Sequence, residues 1–488
     1  MIDTRPLWTI ADICDATNGQ THHGTADTAI TGISIDSRDI KTGDLFVALP
    51  GTVSDGHKFL AAAHAAAAGA ALVTAINHQL DLPQICVTDC LNALRQLAVA
   101  SRARFRGIQF GITGSVGKTG SKDMLRHALS QFGQCHASQR SFNNHIGVPI
   151  SLASLPQQVD YAVQEMGMNA AGEIADLTRL TRPNIAFITR IADSHSAFFD
   201  STADIAAAKA EIFQAIEGAS IAVLNRDDAF YETLHGAAIA AGAKQVIDFG
   251  HHPDAAFRLA SIEHHDAGMT IKADLAGTDC VFELQMHGGH LADNAMGVLA
   301  CVAAAGLPAD KAAAALADCQ PLIGRGQRHS SIFNNCQISI IDDSYNASPA
   351  SMAAAFSSLA ATPPHIMVLS EMRELGSATA TAHAALAAQI NQLAPRMVIA
   401  IGPAMHDMLG ALDPSIICVA ASDIDAAVAE LNHAITTGDR IFIKGSNGSG
   451  AWRVRDALCA AMTSDTSQRP AKGSSHACLL YTSPSPRD

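Results

Sequence analysis

Positive charge is scarce in this chain: 32 Lys and Arg stand against 46 Asp and Glu in 488 residues, a formal net charge of −14. Duplex nucleic acid demands a broad basic face, so nucleic acid is excluded as the main partner and any phosphate must be met in a local pocket. The 11 cysteines never form a C-x-x-C. Their closest pair, Cys86 and Cys90, sits in an apolar stretch with no histidine pattern beside it, which reads as buried thiols of a reducing cytosol. Long hydrophobic runs are missing too. The opening MIDTRPLWTI places Asp3 where a signal peptide carries basic residues, and the most apolar stretch, Phe59 to Ile76, is broken by His64 and Gly69. That stretch reads as a helix followed by a buried strand, so neither a secretion signal nor membrane insertion is expected, and the chain is read as cytoplasmic.

What is present is apolar material for several cores, 48% of the residues. At roughly 100–200 residues per domain, the length predicts three domains. Residues 1–106 read as a small α/β domain, 107–325 as a central domain and 326–463 as a C-terminal one. Residues 464–488, ending in KGSSHACLLYTSPSPRD, lack periodicity and read as a disordered tail or a cloning scar. Strand patterns alternate with helical ones, which predicts an α/β fold with parallel sheets.

The chain is organised around Phe110 to Ser121, FGITGSVGKTGS. The run Gly107 to Ile112 predicts a buried strand. Gly114 and Gly117 let backbone N–H groups turn inward, and a helix starting near Lys118 offers its positive dipole end to an anion. Lys118 supplies a cation for phosphate oxygens and the Thr119 hydroxyl can hold Mg²⁺. The pattern G-x-x-x-x-G-K-[ST] is not strictly met, because Ile112 stands at its first glycine and Gly111 falls one place early. A glycine turn capping an ordinary helix is the plainer alternative.

Other stretches offer candidates around this loop. ITGISIDSRDIKTGDLFVALP, residues 30 to 50, reads as strand, loop and strand, with Ser37 and Arg38 placed to clamp a phosphate or uracil edge or, more plainly, to make a surface ion pair. SFNNHIGVPISLASLP, residues 141 to 156, reads as an amide-rich loop opening a helix. Glu165 follows the strand Tyr161 to Gln164, at the carboxyl edge where open α/β sheets bind ligands, and is a Mg²⁺ candidate by position. His195 follows a second strand, 184–191, in the same way. Lys209 lies in AAAKAEIF on a helix expected from Ile205 to Ile216. The plainer readings are a capping carboxylate, a loop histidine and a solvated lysine paired with Glu211 or Asp204.

Residues 245–285 read as a β-rich insertion, and 288–307 as a helix bearing His290 and Asn294 one turn apart. LIGRGQRH sets Arg325 between glycines and suggests a hinge. Beyond it, ISIIDDSYNASP, HIMVLSEM, RMVIAIG and RIFIKGSNGSG are strands separated by helices, which predicts a Rossmann-like sheet. No G-x-G-x-x-G opens that region, so a dinucleotide site is not expected.

Taken in order, DSR…GDLFVALPG…DGH, TGSVGKT, SFNNHIGVP, EMGMN..GEI, the histidine loop with KAEIF, DDSYNASP and KGS resemble the Mur ligases, ATP-dependent amide-forming enzymes of peptidoglycan synthesis. The likeness spans about residues 28 to 460. DDSYNASP is its most discriminating part, since the tripeptide-forming relatives carry a His-containing variant there. The resemblance implies three domains, for the UDP end of the substrate, for ATP, and for ligation. It implies addition of D-alanyl-D-alanine to UDP-N-acetylmuramoyl-tripeptide by a monomer using ATP and two Mg²⁺.

By the same resemblance, the catalytic group is Lys118, Glu165, His195 and Lys209, with the metals on Thr119, Glu165, His195 and a carbamylated Lys209. Gly114, Ser115, Gly117, Lys118 and Thr119 would cradle the triphosphate, Asn294 would meet adenine, and Arg325 and Asp343 would close onto ATP. Ser37 and Arg38 would face the UDP end, Asn143, Asn144 and His145 the muramoyl-peptide, and Tyr345 and Asn346 the dipeptide. The chain departs from the family pattern at Arg190, Asp193, Leu291 and Gly450. Two rivals remain: an amide ligase for another amine, disfavoured by DDSYNASP, and a non-catalytic nucleotide-binding module, disfavoured by Lys118, Glu165, His195 and Lys209.

Overall fold

Short aliphatic runs buried on both faces form the strands of three main sheets in the computed structural model, which describes residues 6–51, 54–139, 141–192, 199–215, 220–265 and 267–460. The tail from residue 464 lies outside the described residues.

The first sheet has five strands, in the order Gln20–His22, Gln84–Cys86, Ala70–Val73, Leu45–Val47, Ile33–Ser34. All neighbours are parallel except the outer pair, where Gln20–His22 runs antiparallel to Gln84–Cys86. Those two polar-flanked strands carry too little alternation to be read from sequence. The helix Cys90–Arg104 starts where it does because Asp89 accepts a hydrogen bond from the Asn92 N–H at 2.8 Å and caps it.

The second sheet has nine strands and carries the phosphate loop. Ile108–Thr113 lies between Tyr161–Glu165 and Ile185–Ile188, parallel to both, with Cys135–Ala137 at the near edge. On the other side the sheet continues through Ile221–Asn225 and Gln245–Gly250, then through an antiparallel meander, Phe257–His265, Gly268–Leu275 and Asp279–Leu284. Residues 245–285 are therefore not a separate insertion. Phe249 pairs with Phe257 in the ladder and faces Phe187 edge-on, with centroids 5.7 Å apart, which ties these strands to the main core. The second strand stops at Ile188 rather than Ile191, because Thr189 and the backbone beyond it hold the phosphate loop. The Lys209 helix runs Thr202–Ala210, earlier than expected: the Ser201 hydroxyl caps it by accepting from the Asp204 N–H, and a 3₁₀ turn, Glu211–Phe213, ends it.

The third sheet has six strands, in the order Gln327–Phe333, Cys336–Asp343, Arg440–Lys444, Ile366–Ser370, Met397–Ile401, Ile417–Ala421. It is parallel apart from the opening hairpin. The first strand of the hairpin, Gln327–Phe333, and Ile417–Ala421 are additions to the four strands expected. Ser348 and Ser351 form a capping box, with Pro349 in the first turn, so the helix Pro349–Leu359 starts abruptly and fixes the preceding Tyr345–Asn346 turn.

The buried helix Gly289–Ala304 crosses this central sheet and packs closely at Gly297, where an added Cβ would stand 2.5 Å from Phe187 Cζ and 3.0 Å from Phe249 Cζ. Gly297→Ala is expected to cost about 1–3 kcal/mol by overpacking. Gly236 lies on the surface helix Tyr231–Ala240 with nothing within 4 Å of such a Cβ. Gly236→Ala should gain about 0.5–1 kcal/mol from helix propensity. Urea unfolding midpoints that move the same way in both variants would contradict this packing.

Candidate functional site

The phosphate loop is shaped by positions that a side chain would spoil. Gly114 adopts φ +149° and Gly117 φ +84°; a Cβ at the first would collide with Thr189 Oγ1, and at the second would stand 2.6 Å from Asn294 Oδ1. The loop is pinned from below. Ser115 N–H donates to Arg190 O at 2.7 Å, Ser115 Oγ to Ala192 O at 2.9 Å, and Thr189 Oγ1 to Val116 O at 2.6 Å. Asn294 is thereby brought to the loop itself. Lys118 opens the helix Lys118–Leu129 and folds back, donating to Gly114 O at 2.6 Å and Ser115 O at 3.3 Å. Burial pushes its ammonium below the usual lysine range; Glu165 opposes that shift and Arg325 adds to it.

Glu165 ends its strand only 1% exposed. Its Oε1 accepts from Asn143 Nδ2 at 2.7 Å and lies 3.2 Å from Thr119 Oγ1, while its Oε2 is buried with no hydrogen-bond partner. A carboxylate oxygen left dry costs about 1–3 kcal/mol or more, so this atom is aimed at something it can bind. Hydroxyl and carboxylate oxygens side by side are the hard donors that Mg²⁺ selects, and the pair fits that ion. Lys209 is also 1% exposed, and burial, reinforced by the charge of Lys118, holds its amine well below the ordinary lysine value. The surface-pair alternative fails: Glu211 accepts from the Gly172 and Ala175 N–H groups, and Asp204 pairs with Ser201. His195, expected with these residues, lies outside the described residues, as does Asp193.

The C-terminal part joins the loop through the hinge. Arg325 Nη2 donates to Thr119 Oγ1 at 3.2 Å, and its guanidinium lies 4.2 Å from the centre of the Tyr345 ring. Tyr345 Oη lies 2.8 Å from Ser141 Oγ, which lies 3.3 Å from Thr119 Oγ1. Asp343 does not reach the loop in these contacts. It is held instead by the buried Lys444, whose Nζ sits 2.6 Å from Asp343 Oδ2 and donates to Asn346 O at 3.0 Å. Ser141 and Lys444 are the residues that sequence reasoning passed over. Both lay inside quoted motifs, SFNNH and KGS, but neither residue type announces an inter-segment contact.

Other candidates stand apart. Asn144 uses its Oδ1 to accept from the Ile146 and Gly147 N–H groups, capping the next helix, and it is exposed like His145. Arg38 is clamped by Asp36, with Nε at 2.8 Å and Nη2 at 2.6 Å from its two oxygens, which realises the ion-pair alternative; Ser37 lies beside it, half-buried. Of the departures from the family pattern, Leu291 packs against the central core, and Gly450 adopts φ +78°, a conformation that a basic residue would strain.

Three family models match the chain in order. They are described as Mur ligase family, catalytic domain, over residues 29–101; Mur ligase middle domain, over 112–302; and Mur ligase, glutamate ligase domain, over 324–447. The UDP-N-acetylmuramoyl-tripeptide–D-alanyl-D-alanine ligase of Escherichia coli is 33% identical over 404 residues, 82% of this chain and 86% of that protein. Among solved structures, MurF from Acinetobacter baumannii superposes with a TM-score of 0.80 at 27% identity, over 92% of this chain and 98% of that one. The MurF ligase of Thermotoga maritima, solved in complex with ADP, shares the fold with a TM-score of 0.73 at 23% identity, over 88% of this chain and 96% of that one.

Burial of Lys209 carries a sign that titration can read. The unfolded chain takes up a proton on this amine below about pH 10.4, whereas the folded chain resists it, so the parent loses stability as pH falls from that value toward the depressed folded pKa. In CO₂-free buffer, Lys209→Met is expected to unfold at higher denaturant than the parent, with the gap widening as pH is lowered. Parallel profiles would mean that Lys209 is charged in the folded protein.

Proposed function

The chain belongs to the Mur ligase family, and from that premise we propose that it joins D-alanyl-D-alanine to UDP-N-acetylmuramoyl-tripeptide in an ATP-dependent reaction. The observation that carries this reading is the junction at Thr119, where the phosphate loop, the SFNNH loop, the hinge Arg325 and the DSYNASP tyrosine meet around one buried carboxylate. In the proposed reaction the phosphate loop and Arg325 serve ATP, the SFNNH loop the muramoyl-peptide and the tyrosine the dipeptide, so the junction is where the three substrates have to be brought together. ATP and a UDP-linked substrate suit a cytoplasmic enzyme. No helix among the described residues is long and apolar enough to cross a membrane. One chain supplies every segment of the junction, so a monomer suffices.

The chemistry follows from the weakness of a carboxylate as an electrophile. The terminal carboxylate of the tripeptide attacks the γ-phosphorus of ATP; the bond to the bridging oxygen breaks and ADP leaves, giving an acyl phosphate. The free amine of the dipeptide then attacks the acyl carbon, phosphate departs with the bonding pair, and the amine proton is lost to give the amide. On this reading Lys118 exchanges its loop carbonyls for β- and γ-phosphate oxygens and neutralises their charge. Gly114, Ser115 and Gly117 turn their N–H groups to the same anion, and Asn294, beside Gly117, faces the nucleotide. Arg325 moves toward the phosphates from the hinge, and Asp343, fixed by Lys444, sets the C-terminal segment against it. Asn143 holds the Glu165 carboxylate in orientation, while Asn144 and His145 face the muramoyl-peptide, Ser37 and Arg38 the UDP end, and Tyr345 and Asn346 the dipeptide. Mg²⁺, held by Thr119, Glu165, His195 and the carbamate of Lys209, would supply charge neutralisation on the transferring phosphoryl group. Lys209 fits that set only after its neutral amine adds CO₂, which forms an N–C bond, releases a proton and turns a would-be cation into an anion.

Phosphate release is expected only when ATP, UDP-muramoyl-tripeptide and D-alanyl-D-alanine are all present, with meso-diaminopimelate, L-lysine or glutamate far poorer as amines. Preference for any single amino acid would move the chain to a sister activity. Lys118→Ala should abolish turnover while leaving the circular dichroism spectrum unchanged, since it empties no core.

The carbamate has its own signature. Protein equilibrated with ¹³C-bicarbonate is expected to give a carbamate carbon resonance that Lys209→Ala lacks. A parent without that resonance, together with an active Lys209→Ala enzyme, would remove Lys209 from the site.

A further inference from the structure

A line of hydroxyl groups crosses from the C-terminal segment to the phosphate loop. Tyr345 Oη lies 2.8 Å from Ser141 Oγ, Ser141 Oγ 3.3 Å from Thr119 Oγ1, and Thr119 Oγ1 3.2 Å from Glu165 Oε1. The carboxylate at the end of the line accepts and does not donate, and this fixes every proton. Thr119 donates to Glu165, Ser141 donates to Thr119, and Tyr345 donates to Ser141. Donors that all point one way polarise one another, so the line acts as a unit.

Thr119 Oγ1 is saturated in this arrangement. Its two lone pairs receive Ser141 and the Arg325 guanidinium, at 3.3 and 3.2 Å. A nucleotide with its cation, taking one of those lone pairs, has to displace one donor. Arg325 is the one drawn away, because it is a cation beside an incoming polyanion, whereas Ser141 is neutral and stays. Arg325 also stacks on Tyr345, 4.2 Å from the ring centre, and the Tyr345 N–H donates to Gly324 O at 2.9 Å next to Arg325 in the chain. Movement of Arg325 toward phosphate therefore changes its stacking on the ring that Ser141 holds by its hydroxyl.

We propose that Ser141 is a positioning residue that couples nucleotide loading at Thr119 to seating of Tyr345 over the dipeptide site, making the two binding events cooperative. The proposal rests on the ligase reading above for the identity of the second ligand. Coupling of this kind is reciprocal: the nucleotide tightens the dipeptide as much as the dipeptide tightens the nucleotide. Without the Ser141 hydroxyl, each ligand should bind as though the other were absent.

The test is a double-mutant cycle on the full-length protein with Ser141→Ala, Tyr345→Phe and the double variant, each confirmed folded by circular dichroism. Each single change is expected to raise the KM for D-alanyl-D-alanine about fivefold to tenfold, the value of one neutral hydrogen bond, with kcat and the Kd of a non-hydrolysable ATP analogue unchanged. The double variant should be no worse than either single one, and Ser141→Thr, which keeps the hydroxyl, should restore the KM. Additive losses, an unchanged KM, or equal weakening of the analogue would overturn the proposal. Small-angle scattering gives a second readout. The ATP analogue is expected to contract the parent but not Ser141→Ala, and equal contraction of both would also overturn the coupling. If the parent releases no phosphate with D-alanyl-D-alanine, the ligase reading fails, and the scattering comparison alone then decides the coupling.

Discussion

Two cations, Lys118 and Arg325, meet at one buried carboxylate. Glu165 draws the Lys118 ammonium, Arg325 repels it, and Lys118 in turn presses on Lys209. Like charges crowded into a buried pocket repel one another, and that repulsion opposes folding. Among the described residues, Glu165 is the anion that these shifts identify. The pocket is thus built with an excess of positive charge, and an arriving polyanion relieves it. The net negative charge of the whole chain makes this local excess more selective, because phosphate meets little competing attraction elsewhere on the surface.

The scaffold makes that imbalance sustainable. The phosphate loop is tied to the neighbouring strand end through Ser115, Thr189 and the Arg190 and Ala192 carbonyls, so the cations cannot relax by moving the backbone. Glycine at 114 and 117 is what permits the loop to lie so close to Thr189 and Asn294. The helix Gly289–Ala304, buried along most of its length, holds Asn294 against Gly117, so the loop and this side chain share one rigid support.

The sequence carried the chemistry better than the connectivity. Gly114, Gly117, Lys118 and Thr119 were readable because a phosphate loop needs those residue types at fixed offsets, and Glu165 because a carboxylate at the end of a buried strand has few other reasons to be there. Lys209 was readable only through the family resemblance, since a lysine in an alanine-rich helix gives no sign of its burial. The meander from residue 257 to 284 was identified as strands but not as part of the main sheet, because edge pairing is decided by contacts such as Phe187 with Phe249, which are remote in sequence. Ser141 escaped notice for a similar reason: its partners, Thr119 and Tyr345, are 22 and 204 residues away.

The order of the third sheet has a consequence for how the protein is made. Its final strand, Arg440–Lys444, is inserted between Cys336–Asp343 and Ile366–Ser370, strands synthesised long before it. While the ribosome is still translating the roughly 70 residues from Ser370 to Arg440, at about 5–20 per second, that sheet exists as two halves with unpaired facing edges. Such edges are templates for pairing with other chains. The Asp343–Lys444 pair, directly opposed across the ladder, is the latch that closes the gap in the right register, since a slip of one residue would turn the lysine to the wrong face. A nascent chain cut short before residue 440 would thus be left with an open seam, prone to aggregate although most of its strands are already present.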